Sequence, residues 1–265
     1  GRIETGDANL ATSSLYYAAL ETSISLGEAL SKDKKQLKEY ATQRSALALA
    51  IETYFGHRVE GLDTYRYYKG HENLRHWIAM PLVVGLHDRK EATLTGLFDH
   101  LWTENGVHVE KNSDNPEISR IFWDRGTLYA LRGAFVAGAT ERANDRLLSF
   151  SRERLLGERV PYVVEAYPEG NMAHLSAESG LYCRIFTEGI FGILPTGFRS
   201  FRLQPQMPKD WNKMALRKIF AFGQDTGFDI EVQRKGNKLS IRILTEGEVV
   251  QTLRIDDGAA VEIKL

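Results

Sequence analysis

The chain reads as a mainly helical protein that ends in a small antiparallel β-sandwich domain. Three features predict this. Apolar residues recur at helical spacing through most of the chain, and after Pro195 the period switches to two, with glycine-bearing turns. The connections between the helical segments alternate between very short ones ("SKD", "HD", "AT") and long ones rich in Tyr, Trp, His, Arg and acids. Helical hairpins closed by short turns at one end and by long decorated loops at the other describe a toroid with a functional rim. Loops of that length are uncommon in compact domains unless they serve function. The expected division is residues 1–195, a segment of helical hairpins, and 196–265, the β domain.

Taken in order, Leu15, Ala19, Leu26 and Leu30 mark the apolar face of a first helix. Asp33 caps a second, "KKQLKEYATQRSALALAIETYF", with Leu37, Tyr40, Leu47 and Ile51 on one side. Further helices are expected over "ENLRHWIAMPLVVGL", "RKEATLTGLFDHLW", "GTLYALRGAFVAGA", "ERANDRLLSFSRERLL" and "SAESGLYCRIFTEGIFGI". Pro81 either kinks the first of these or sits near its first turn. Beyond Pro195, "FRSFRLQPQ", "ALRKIFAFG", "TGFDIEVQR", "NKLSIRIL", "VVQTLRI" and "AAVEIK" read as strands. Phe228, Ile230 and Val232 share one face, as do Leu239, Ile241 and Ile243.

With 265 residues, 43% apolar and 26% charged, the chain can bury a core that folds without staples. A net charge of −1 favours neither nucleic acid nor an anionic membrane as a partner, and no apolar run is long enough to span a bilayer. Cys183 is the single cysteine, so there is no intrachain disulfide and no Cys-based zinc cluster. The histidines form no HExxH, and His71 and His76 stand five apart, so no metal is expected. GxGxxG, Walker A and GxSxG patterns are absent as well, and no cofactor is expected.

The chemistry concentrates in the long loops. "YVVEAYPEGN" places Glu165 beside Tyr167, and Glu169 four residues on, where Pro168 and Gly170 oppose a continuous helix. Hydrolysis of a glycosidic bond uses two carboxyl groups, one to protonate the leaving oxygen and one as base or nucleophile. Glu165 lacks a helical role and is the first candidate. Glu178 opens a helix, where a carboxylate also serves the dipole, so capping and catalysis both stand. Glu188 lies among apolar residues as a paired core group or a site residue. In "IFWDRGTLYALRGAF", Trp123 offers a sugar-stacking face, Asp124 is a natural N-cap, and Arg125 follows. "GLDTYRYYKGHENLRHW" adds Asp63, Tyr65, Arg66, Tyr67, Tyr68 and Trp77, a combination of rings and hydrogen-bonding groups suited to a polyol.

These stretches resemble the C-terminal half of the six-hairpin glycosidases, the (α/α)6-toroid enzymes that include trehalase, processing α-glucosidase, rhamnosidase and the disaccharide phosphorylases. "GDANLATSSLYYAALETSISLG" is similar to the helix that follows their general-acid loop. "IFWDRGTLYALRGAF" resembles their "YWRGPVW" segment, although it lacks the Pro-Val-Trp. "VVEAYPEG" is similar to the segment that holds their catalytic base. "GLYCRIFTEGIFGILPTGFRSFRLQPQMPKDW" resembles their last barrel helix and its exit into a β domain. The resemblance implies an inverting hydrolysis with Glu165 as general base, Trp123 and Arg125 in the sugar pocket, and Glu178 as the alternative position if the chain is phosphorylase-like. It implies an oligo- or polysaccharide as partner and slightly favours a periplasmic or secreted location. The sequence offers seven helical candidates where a full toroid needs twelve, so the chain is expected to be part of a longer enzyme whose general acid lies upstream; Glu4 is the one acid near that loop. Such a piece would expose an apolar seam that pairs with the missing half or with itself. The rival readings are a toroid polysaccharide lyase using Tyr67, Tyr68 and His71, and a non-catalytic glycan-binding or assembly module.

Overall fold

A computed structural model describes residues 5–156, 166–167 and 176–265; Glu4, Glu165 and Glu169 lie outside them. The first elements are the helical hairpin α1 (Leu10–Ala29) and α2 (Lys34–Phe55). Asn9 caps α1 by accepting from the Thr12 amide at 2.9 Å, and Asp33 caps α2 by accepting from the Lys35 amide at 3.1 Å. On α2 the residues Leu37, Tyr40, Leu47 and Ile51 form the less exposed side, as their spacing predicts. On α1 the outcome differs. Its buried positions are Leu10, Ser14, Leu20 and Gly27, which meet α2 and the later helix α3. Leu15, Leu26 and Leu30, expected to face a core, are about half exposed, at 50%, 49% and 48%.

Where a long loop is expected after α2, the chain forms a hairpin, β1 (Gly56–Val59) with β2 (Leu62–Tyr65). Its two-residue turn has φ of 46° at Glu60 and 85° at Gly61, the paired left-handed geometry that suits strand twist. The Glu60 carboxylate accepts from the Leu74 amide at 2.9 Å and from Asn112 Nδ2 at 2.7 Å, so the turn joins two later loops.

The helix expected over "ENLRHWIAMPLVVGL" is reduced to a 3₁₀ turn, His76–Ile78, and a short helix α3 (Ala79–Val83). Pro81 occupies its first turn, where a missing N–H costs nothing. Next come α4 (Lys90–Thr95), which runs on as a π-helical turn Gly96–Leu101, the hairpin β3 (Trp102–Thr103) and β4 (Gly106–Val107), and β5 (Phe122–Trp123). Helix α5 (Asp124–Val136) is deeply buried: Leu128, Ala130, Leu131, Ala134 and Phe135 are all nearly inaccessible. It packs on α3, on α6 (Thr140–Ser151) and on α7 (Ser176–Arg184). Between those last two, β6 (Ala166–Tyr167) pairs with β5.

The chain divides into two compact units, Gly1–Ile185 and Phe186–Leu265. The division falls inside the π-helical turn Ile185–Ile190 that continues α7, upstream of Pro195, where the sequence period changes. The second unit holds β7 (Leu194–Gly197), β8 (Ser200–Leu203), β9 (Lys213–Ile219), β10 (Phe228–Lys235), β11 (Lys238–Thr245), β12 (Glu248–Asp256) and β13 (Val261–Lys264). They form one sheet ordered β12-β11-β10-β9 and another ordered β13-β8-β7. Ile230 lies opposite Ile243, and Val232 opposite Ile241; with Phe228 and Leu239 they are buried, as alternation predicts. Phe201 of β8 stacks on Phe222 at 4.7 Å and on Phe228 of β10 at 5.8 Å, so both sheets feed one core. The architecture is mixed helix and antiparallel sheet, with every sheet open. No helix among the described residues is long and apolar enough to cross a membrane.

Candidate functional site

The helical unit carries charge in its interior. Arg75, Glu110, Asp124, Arg154 and Glu178 are each no more than 4% exposed. Charged side chains are rarely so buried unless paired, and the pairs fall into three groups.

The first surrounds Glu110, in the loop after β4. Its Oε2 accepts from His71 Nε2 at 2.9 Å and from Arg75 Nε at 2.8 Å, and its Oε1 accepts from Asn73 Nδ2 at 3.1 Å. Burial alone would raise the carboxyl. The His71 hydrogen bond, the Arg75 charge and the Asn73 amide outweigh it and hold the group down at about 2. The Arg75 guanidinium also lies over the Tyr67 ring at 4.8 Å, and Tyr68 stands 4.9 Å from His71. A carboxylate so held is a poor proton donor, and its contacts join the loop 66–75 to the loop 107–112.

The second group anchors the start of α5. Asp124 is not the cap: Trp123 occupies the cap position, and Asp124 is the first helical residue. Its Oδ1 accepts from Arg154 Nε at 3.2 Å, while Arg154 also donates to the Asn105 carbonyl at 2.6 Å. The Val107 amide donates to Thr127 Oγ1 at 2.9 Å. These bonds fix β4 against the first turn of α5.

The third group faces outward. Trp77, Trp123 and Tyr129 are half-buried rings in one cluster, with Trp77 at 6.3 Å from Trp123 and 5.8 Å from Tyr129. His76 backs them, 4.3 Å from Trp77 and 5.4 Å from Trp123. Burial pushes its imidazole down to about 3, so it is neutral, with Nδ1 on the Val109 carbonyl at 3.2 Å. Gly126 makes room for it: a Cβ there would stand 2.4 Å from His76 Cδ2. One helical turn before Tyr129, Arg125 donates to Glu178 Oε1 at 2.6 Å. The Glu178 side chain is fully buried and Arg125 is one-third exposed. Among the described residues Glu178 Oε2 has no hydrogen-bond partner. Glu178 lies in the first turn of α7, where a carboxylate serves the helix dipole, and is at the same time a buried ion-pair partner of Arg125.

The residues singled out in the sequence distribute unevenly. Trp123, Arg125 and Glu178 fall in the third group, and Asp124 lies directly beneath it. Tyr67 belongs to the Glu110 group. Arg66 is occupied elsewhere: its Nε and Nη2 both donate to the Tyr54 carbonyl, at 3.0 and 2.7 Å, closing the end of α2. Asp63 pairs with Arg89 on the hairpin. Glu165 lies outside the described residues, but the backbone that follows it does not: Ala166 pairs with Trp123 and Tyr167 with Phe122. Glu188 lies half-buried in the π-helical turn after α7.

Sequence reasoning missed Glu110, Arg75, His76, Tyr129 and Arg154. The alternation of "VHVE" marks a strand-like segment but puts Glu110 on the face opposite the inaccessible Val107 and Val109, so no spacing signal points to its burial. Tyr129 was legible as the residue four after Arg125 on the same helical face. Among the described residues no group of three or more His, Cys, Asp or Glu converges to hold a metal ion. No family model matches the chain, and no curated protein matches it at a significant level.

Proposed function

We propose that this chain is the C-terminal part of a glycoside hydrolase of the six-hairpin, (α/α)6-toroid class, and that its sugar site lies against Trp77, Trp123 and Tyr129. The observation that carries this reading is the pairing of β5 with β6, which sets the residue after Glu165 across from Trp123. An aromatic wall matches the C–H face of a pyranose ring. A few converging polar groups then fix its orientation, here Arg125 at the edge of the wall and Glu178 behind it. Glu165 is the general base: it takes a proton from the water that attacks the anomeric carbon. A general acid elsewhere in the enzyme protonates the departing oxygen, with the two carboxyl groups roughly 6.5–9.5 Å apart for inversion.

The test is Glu165→Gln in the full-length enzyme. Loss of the base is expected to lower turnover about 10²–10⁴-fold with unchanged thermal unfolding, and Trp123→Ala to weaken substrate binding. Near-normal turnover in Glu165→Gln removes that residue from the mechanism. Sugar binding without turnover in the wild type would favour a binding module, and a product absorbing in the ultraviolet would favour a lyase.

A further inference from the structure

The pair formed by Arg125 and Glu178 is unequal, and we infer that Glu178 is a positioning residue: it holds the Arg125 guanidinium at the edge of the aromatic wall, so that the grip of Arg125 on substrate depends on the Glu178 carboxylate. The inference rests on the sugar-site reading and adds to it the residue that orients its cation. Arg125 follows Trp123 by two residues and precedes Tyr129 by one helical turn of α5. Its side chain is one-third exposed, whereas that of Glu178, on α7, has no exposure at all. The two meet through a single bond, Arg125 Nε to Glu178 Oε1 at 2.6 Å. Arg125 is thus the member that can touch a ligand, and Glu178 the one that acts through its partner.

The form of the pair argues for orientation over stability. An Arg–carboxylate pair built for strength is forked, with two parallel N–H···O bonds. Here, among the described residues, Glu178 Oε2 accepts no hydrogen bond, and a buried polar atom left in that condition is destabilising. Two well-packed apolar side chains would join α5 to α7 at least as firmly. Service to the helix dipole does not require burial either, since an acid in the first turn acts from the surface. What the single bond does supply is direction. With Nε held, the flexible stem of Arg125 is fixed, and the two Nη groups at its tip keep a set place from which to donate to hydroxyl oxygens of a ring stacked on the wall. Ordering that side chain before the sugar arrives removes its rotamer entropy from the cost of binding. Support of a contact residue by a buried neighbour is the general means by which a site keeps its geometry.

The experiment is steady-state kinetics with thermal unfolding on the full-length enzyme. Its probe is whichever 4-nitrophenyl α- or β-glycoside of glucose, mannose, galactose or rhamnose the wild type hydrolyses fastest. Glu178→Met keeps the bulk and removes the acceptor. It is expected to raise KM about tenfold or more, the contribution of one charge-assisted hydrogen bond, with most of the loss in KM and little in kcat. Glu178→Gln keeps an oxygen for Arg125 Nε and is expected to recover part of that loss. Arg125→Met with Glu178→Met decides the matter. It replaces the ion pair by apolar packing, so a Glu178 that served structure alone would give back KM together with stability. A Glu178 that works through Arg125 leaves KM about tenfold or more above the wild type. Recovery of KM in the double variant, or a KM within about twofold of the wild type in Glu178→Met, overturns the inference while the sugar site stands. If Trp123→Ala also leaves KM unchanged, or the wild type hydrolyses none of these glycosides, the sugar-site reading falls as well.

Discussion

Replacing Glu110 by Gln tests whether the buried ionic network is worth what its geometry implies. The carboxyl is held at about 2, against an ordinary value of 4.5. That depression corresponds to about 3 kcal/mol of folding stability at pH 7. The sign follows from proton uptake: between those two values the unfolded chain binds a proton that the folded chain refuses. The contribution is complete above pH 4.5, falls to about 2 kcal/mol by pH 3.5, and is under about 1 kcal/mol at pH 2. Gln keeps the volume, but it offers an NH₂ to a site whose other groups, His71, Asn73 and Arg75, all donate. It also leaves the Arg75 charge buried without its partner. Glu110→Gln is therefore expected to lose about 3 kcal/mol at pH 7, narrowing steadily as the pH falls. Urea denaturation followed by tryptophan fluorescence reads this directly, because Trp77, Trp102 and Trp123 all lie in the helical unit. His76, held neutral by burial, also removes stability on acidification, from about pH 6.5 downward. That loss is present in both proteins; the Glu110 charge acts to raise the His76 imidazole, so its removal pushes His76 further down and leaves the direction of the expected difference unchanged at pH 7. A gap under about 1 kcal/mol at pH 7, or one that does not narrow in acid, would refute the reasoning.

Two further substitutions probe the aromatic site. Gly126→Ala gains about 1 kcal/mol in helix propensity, but its methyl meets the inaccessible His76 ring at 2.4 Å. A net loss of about 1–3 kcal/mol is expected from overpacking, with a shift in tryptophan emission as Trp123 moves; a more stable variant with unchanged emission would contradict the packing described. Arg125→Ala strips the buried Glu178 of its cation and is expected to cost about 3–5 kcal/mol. Arg125→Met with Glu178→Met should recover most of that in thermal unfolding, and a single variant as stable as the wild type would show that the pair is not buried as described.

The parts of the structure legible in the sequence are those fixed by local chemistry. Asp33 announces α2 because an Asx side chain satisfies the first free amides of a helix wherever it stands. The faces of β10 and β11 follow from strict alternation. The β1–β2 hairpin is equally local, through Glu60–Gly61, but its strands of four residues each are too short for a clear period of two. Other features depend on which surfaces meet in space. The periodicity of α1 is helical, yet period alone gives no sign that Leu15 and Leu30 face outward while Ser14 and Gly27 face in. Likewise Glu178 sits where a capping acid would, and only the approach of α5 turns it toward Arg125. The partners of Glu110 come from a loop some 35 residues earlier in the chain, a separation that no spacing rule spans.

Among the described residues the dipeptide Glu-Gly reverses the chain at 60–61 and at 246–247, with nearly the same φ values. Glu60 reaches back to hold Leu74 and Asn112, whereas Glu246 is exposed at the tip between β11 and β12. One reversal is a rivet and the other a free corner. A reporter peptide grafted at 246–247 should ride on the β unit without disturbing it. The same graft at 60–61 would pry apart the scaffolding on which Glu110 depends.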